Sequence, residues 1–162
     1  MQKFWVKALV LLVVHFLAPS SLNFAHKFLY IFPDVTSILV FIFIVINNCG
    51  RLKLFVILLA LINDIVGHEV VGASALGYIF FFLVIKANRN ALEAEDFYIN
   101  WAGYVMAFTA MSLVRTGFYI LSNFDIVIIY NTAIQIILSG LLFPIVVFCY
   151  FYLFGMKEGR YG

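Results

Sequence analysis

The sequence predicts an all-α membrane protein: six transmembrane helices, both termini in the cytoplasm, and a single polytopic domain over residues 1–162. Three observations predict it. The first is composition. Of 162 residues, 65% are hydrophobic and 11% charged, and the mean hydropathy is +1.10. An ordinary soluble domain is roughly 45–50% apolar and about 25% charged. So few polar groups cannot cover a soluble fold of this size, which excludes a soluble enzyme. The second is length. A helix needs about 20 apolar residues to cross the bilayer, so six spans take about 120 residues and leave only loops and tails. The third is the placement of Lys and Arg. With six spans, Lys3, Lys7, Arg51, Lys53, Lys86, Arg89, Lys157 and Arg160 fall on one side and Lys27 on the other, while Arg115 lies within a span. Cytoplasmic loops carry the excess of basic residues. One missed or added crossing would scramble this split.

The first apolar run is Phe4 to Ala18, closed by Pro19, Ser20 and Ser21. It reads as a retained helix with Lys7 snorkelling to the surface. The second is Ile31 to Ile46. Pro33 near its start suits a first helical turn, where an N–H has no intrahelical partner, and Asp34 suits the positive end of the helix dipole. Leu52–Val66 and Ala73–Ile85 are two short apolar arms around a polar turn. Each is about 22 Å long at 1.5 Å per residue, below the roughly 30 Å hydrocarbon thickness. They are either two full spans or a re-entrant hairpin buried in protein. Lys86 to Asp96 reads as a charged loop with one amphipathic helical turn. Phe97–Leu121 and Ile126–Phe154 are the last two spans. Trp5, Tyr30, Tyr98, Trp101 and Tyr152 fall near span ends, as an aromatic belt would.

Ionisable groups at membrane depth are costly and mark candidate sites. Here they are Asp64 and Arg115, with His15, Asn63 and Gln135 as weaker polar candidates. Asp64 and Arg115 form either a pair across two spans, a contact with a partner helix, or part of a proton or ligand pathway. Asp64, His68 and Glu69 are close in sequence, but a zinc site needs three ligands in fixed geometry. Interface-exposed polar residues on a glycine turn explain them more simply, so no metal and no cofactor is expected. Ser74 in Gly72-Ala73-Ser74-Ala75 has no evident activating base, as a nucleophile would need. No catalytic set emerges, and an enzyme is not expected. Cys49 and Cys149 are read as unpaired thiols. The formal net charge of +2 gives no argument for nucleic acid. The small residues Gly72, Ala73, Ser74, Ala75 and Gly77, and Gly103, Ala107, Ala110, Ser112 and Gly117, predict close helix packing.

Several of these residues form a pattern. Pro33-Asp34 opens an apolar helix, Asp64-x-x-Gly67 leads to Val71-Gly72-x-x-Ala75-Leu76, and Pro144 lies in a final apolar helix. This resembles the rod shape-determining MreD family, in outline over the whole chain and in motif over residues 33–76 and 139–146. The resemblance implies a non-enzymatic inner-membrane scaffold of the bacterial cell-elongation complex, which organises lateral peptidoglycan synthesis and cell shape. The partners it implies are the MreC transmembrane helix, RodA, a class B penicillin-binding transpeptidase and the MreB filament, all at the lipid bilayer. It also implies a fold similar to the six-helix substrate-binding subunits of energy-coupling factor transporters. Pro33, Asp34, Asp64, Gly67, Gly72, Arg115 and Pro144 are the partner-binding or structural candidates.

That fold similarity supplies the rival reading, a substrate-binding membrane subunit of a vitamin transporter. In it, polar residues around Asn63–Gly72 and Arg115 would line a ligand cavity. An Ala-rich motif for an energising subunit, expected near the first span of such a carrier, is absent from the sequence.

Overall fold

A computed structural model describes residues 9–13, 33–45, 52–66, 70–92, 96–122 and 127–154. Every described element is helical. Residues 9–13 form a helical stretch. The elements after it are α1 (Val35–Val45), α2 (Leu52–Val66), α3 (Ala73–Ala87), α4 (Arg89–Leu92), α5 (Phe97–Ser122) and α6 (Val127–Phe154). The last five spans read from the sequence therefore correspond to helices α1, α2, α3, α5 and α6. Two of these, Phe97–Ser122 and Ile128–Tyr152, are long and apolar enough to cross a membrane, and α1 and α3 are shorter apolar helices.

α1 is the central helix. Every residue from Thr36 to Ile44 is buried, which fits a helix that is apolar all round. Its Phe41 ring meets Phe81 of α3 at 6.3 Å, Tyr104 of α5 at 5.6 Å and Phe143 of α6 at 5.7 Å between centroids, all edge-on. Such edge-to-face pairs add about 0.5–1.5 kcal/mol each beyond the area they bury. Phe41, Phe81 and Phe143 thus pack between helices.

α2 divides into two stripes. Leu52, Val56, Ala60 and Asp64 recur every fourth residue and are buried. Leu54, Leu58, Ile62 and Ile65 form an exposed apolar stripe. α6 shows the same division, with Ile137, Leu141, Ile145 and Phe148 exposed. Large contiguous apolar faces of this kind mark a surface made for lipid or for another protein.

α3 and α5 pack more extensively against each other than any other described pair of elements. Glycine permits it. A Cβ on Gly77 would stand 3.1 Å from the backbone oxygen of Met111 and 3.1 Å from its Cγ. On α5, a Cβ on Gly103 would collide with Leu92. That contact seats α4, the single helical turn found within the Lys86–Asp96 loop. Gly117 behaves otherwise: it is exposed and a Cβ there would meet nothing within 4 Å.

Candidate functional site: polar junctions between apolar helices

The candidate residues gather at three polar junctions. The first lies at the start of α1. The helix begins at Val35, so Pro33 precedes the cap and is not in the first turn, as the sequence reading had placed it. Asp34 is the N-cap. Its Oδ1 accepts a 3.0 Å bond from the Ser37 backbone N–H, and its carbonyl accepts 2.8 Å from the Ser37 hydroxyl. This satisfies one of the orphan donors of the first turn. Asp34 also reaches across the bundle: its own backbone N–H donates to Ser139 Oγ of α6 at 2.9 Å. The Ser37 hydroxyl, with its proton already committed, accepts from Tyr104 of α5 at 3.0 Å. Tyr104 and Ser139 are completely buried, where an unpaired hydroxyl would be costly. One cap therefore ties α1 to both α5 and α6.

Pro144 forms the second junction, next to the first. Proline has no N–H, so it cannot bond the carbonyl four residues earlier. That carbonyl belongs to Gly140, and it accepts a 2.8 Å bond from Trp101 Nε1 of α5. Trp101 is half-buried in this latch. Tyr98 and Tyr152, by contrast, are 73% and 81% exposed near neighbouring ends of α5 and α6, as belt residues would be. The two ends of the sequence motif, Pro33-Asp34 and Pro144, meet in space through Ser139 and Gly140.

The third junction joins α2 to α3. Asp64 is 0% exposed. Its Oδ2 accepts from the backbone N–H groups of Gly72 (2.9 Å) and Ser74 (3.1 Å). Gly72 is the N-cap of α3, with φ at 92° and no side chain to close the helix start. The left-handed conformation there favours glycine. Asp64 supplies the missing cap from eight residues upstream, and its charge suits the positive end of α3. Among the described residues, the Asp64 Oδ1 and the Ser74 hydroxyl are both buried without a hydrogen-bond partner. Of the pairings left open by the sequence, the structure shows Asp64 held by the start of α3 and not by Arg115.

Arg115 sits elsewhere, in a crevice between α5 and α6 of about 260 Å³, counting its open mouth. Its guanidinium carbon lies 5.7 Å from the centroid of the Tyr119 ring, within cation–π range. Ser112, Thr116, Thr132 and Gln135 share the crevice and are buried. The Thr132 hydroxyl donates to the Ile128 carbonyl at 2.8 Å, and Thr116 donates to Thr132 Oγ1 at 2.9 Å. Gln135, a weaker candidate from the sequence, is thus brought together with Arg115.

Gly67, His68, Glu69, His15 and Cys49 lie outside the described residues. Cys149 is an exposed free thiol. No group of three metal-ligating side chains occurs among the described residues. Sequence reasoning missed Ser37, Tyr104 and Ser139, which carry no pattern of their own. The Trp101 latch had a signal, since a proline inside a helix frees a carbonyl that needs a donor. So did the Asp64 cap, since a helix opening on glycine must find its cap elsewhere.

Searches against known protein families, characterised proteins and solved structures returned no match.

Proposed function

We propose that this chain is a non-enzymatic, multi-span scaffold of the bacterial inner membrane, of the MreD kind, with six spans and both termini in the cytoplasm. It would dock the transmembrane helices of elongation-complex partners, MreC first among them, and so organise lateral cell-wall synthesis. One observation carries the reading. Each described part of the motif that resembles MreD works at a junction between helices. Pro33-Asp34 links α1 to α6, Asp64 and Gly72 close the α2–α3 turn, and Pro144 opens the carbonyl that Trp101 grips. These residues stiffen a bundle that presents apolar faces outward, as a helix-docking platform requires. The basic residues, eight on one side against one on the other, support the orientation through the positive-inside rule.

Depletion in a rod-shaped host tests the role. Cells should round up and MreC should lose its localisation; cells that stay rod-shaped with MreC in place refute it. Thiol labelling of single cysteines placed at residues 2, 90 and 160 tests the topology, since all three should be inaccessible from outside intact cells. The vitamin-carrier alternative predicts a small molecule retained by the purified protein in native mass spectrometry. The scaffold predicts a co-purified single-span chain instead.

A further inference from the structure

We propose that the α2–α3 turn binds a monovalent alkali cation, of which sodium is the type, between Asp64 and Ser74. Two orphaned atoms lead there. Asp64 spends Oδ2 on the N–H groups of Gly72 and Ser74, and among the described residues its Oδ1 has no hydrogen-bond partner. The Ser74 hydroxyl has none either. The two residues are 0% and 4% exposed. The 3.1 Å bond from the Ser74 N–H to Oδ2 holds the two residues together, so both orphaned oxygens stand at one turn. Buried polar groups are hydrogen-bonded, and buried charges are paired or coordinate a metal ion. A carboxylate oxygen offers lone pairs only, and a serine oxygen offers two of them. The occupant is therefore something that oxygen lone pairs attract. A proton on Oδ1 would find no acceptor there among the described residues.

The surroundings select the class of ion. The described residues bring no group of three metal-ligating side chains together, so the donor set of zinc is missing. Oxygen donors suit hard cations. A single carboxylate balances a single positive charge, which leaves no net charge to bury at the turn. The helix end favours a cation as well. Asp64 lies in the last turn of α2, which holds no basic residue. That is the negative end of the helix dipole, where cations are stabilised. The last carbonyls of a helix also lack intrahelical donors and are suited to complete a coordination shell. Interrupted helices within membranes coordinate sodium with such ends. Gly72 supplies room for entry: a Cβ there would meet nothing within 4 Å, and Val71 beside it is 63% exposed. The glycine thus leaves open space beside the turn that holds Asp64 and Ser74.

The inference rests on the Asp64–Ser74 geometry and not on the scaffold reading, so each can fail alone. The test is equilibrium binding of radiolabelled sodium to the purified full chain in a maltoside detergent, with choline chloride holding the ionic strength constant. The wild type should bind one sodium ion per chain and saturate. Asp64→Asn should weaken binding by about tenfold or more, the effect of losing a charged partner, and Ser74→Ala by about threefold. Ser74→Ala leaves both N–H bonds to Oδ2 in place and gives a reading even if Asp64→Asn fails to fold. Hydrogen exchange supplies a second readout. At saturating sodium the Gly72 and Ser74 amides should exchange severalfold more slowly than in choline. No saturable sodium binding by the wild type overturns the site, and equal exchange in the two salts then assigns Oδ1 to a buried water. Equal binding by wild type and both variants puts the ion elsewhere and overturns the site too. Displacement of the tracer by micromolar calcium or zinc overturns the monovalent assignment.

Discussion

Removing the Asp64 carboxylate should unhinge the start of α3 before it unfolds the bundle. Asp64→Ala deletes the carboxylate that accepts hydrogen bonds from the N–H groups of Gly72 and Ser74. Bonds to charged groups contribute about 1.5–3 kcal/mol each, a gross loss of about 3–6 kcal/mol. Burying a carboxylate itself costs several kcal/mol, and the substitution recovers part of that. The net destabilisation is expected at about 2–4 kcal/mol. Asp64→Asn keeps an acceptor oxygen but gives up the charge, and neutral bonds are about half as strong, so it should cost about 1–2 kcal/mol. Unfolding by SDS titration in mixed maltoside micelles measures both. Hydrogen exchange adds the local reading: the Gly72 and Ser74 amides should exchange faster in Asp64→Ala while those in the middle of α5 stay protected. An Asp64→Ala protein within about 0.5 kcal/mol of wild type, the range of an unremarkable surface change, would refute the tertiary cap. So would equal costs for the two variants with no change at Gly72 or Ser74.

The other junctions give further expectations. Ser139→Ala leaves the Asp34 N–H without its acceptor and should cost about 1–2 kcal/mol, by the same SDS titration. Gly77→Val drives a branched side chain at the backbone of Met111 and should cost about 1–3 kcal/mol, whereas Gly117→Ala, facing open space, should be neutral or slightly stabilising because alanine favours a helix. Trp101→Phe removes the donor to the Gly140 carbonyl and should cost about 1 kcal/mol in the wild-type background. In a Pro144→Ala background the new N–H can serve that carbonyl, so Trp101→Phe should cost less; strict additivity in the double-mutant cycle would refute the link between proline and tryptophan.

Much of the helix layout was legible because apolar runs and their breakers are local signals. The second run, Ile31 to Ile46, contains the described helix α1, Val35–Val45. The stretch around Arg89 showed its single turn for the same reason. The junctions were less legible because each depends on residues far apart in sequence. Asp34 and Ser139 are 105 positions apart, Ser37 and Tyr104 are 67 apart, and Trp101 and Gly140 are 39 apart. Serine and tyrosine in an apolar helix have no periodicity that names a partner. Asp64 was conspicuous as an acid within an apolar run read as a span, but prominence alone suggested a charged partner. Its position on the Leu52–Val56–Ala60 stripe shows that it is buried, and the bare glycine at the start of α3 shows what it bonds.

The three junctions share one physical logic. Among apolar helices in lipid, burying more apolar surface gains little, because the tails are as apolar as the side chains. What distinguishes one arrangement of helices from another is then close packing and the few polar groups that must find partners. In this chain the polar partners are mostly backbone groups already in surplus: the N–H groups at the starts of α1 and α3, and the carbonyl that Pro144 leaves open. Asp34, Asp64 and Trp101 act on those surpluses, so each fixes a helix end or kink-prone site through groups the backbone already offers. Arg115 lies apart from these three junctions, in the α5–α6 crevice beside the Tyr119 ring.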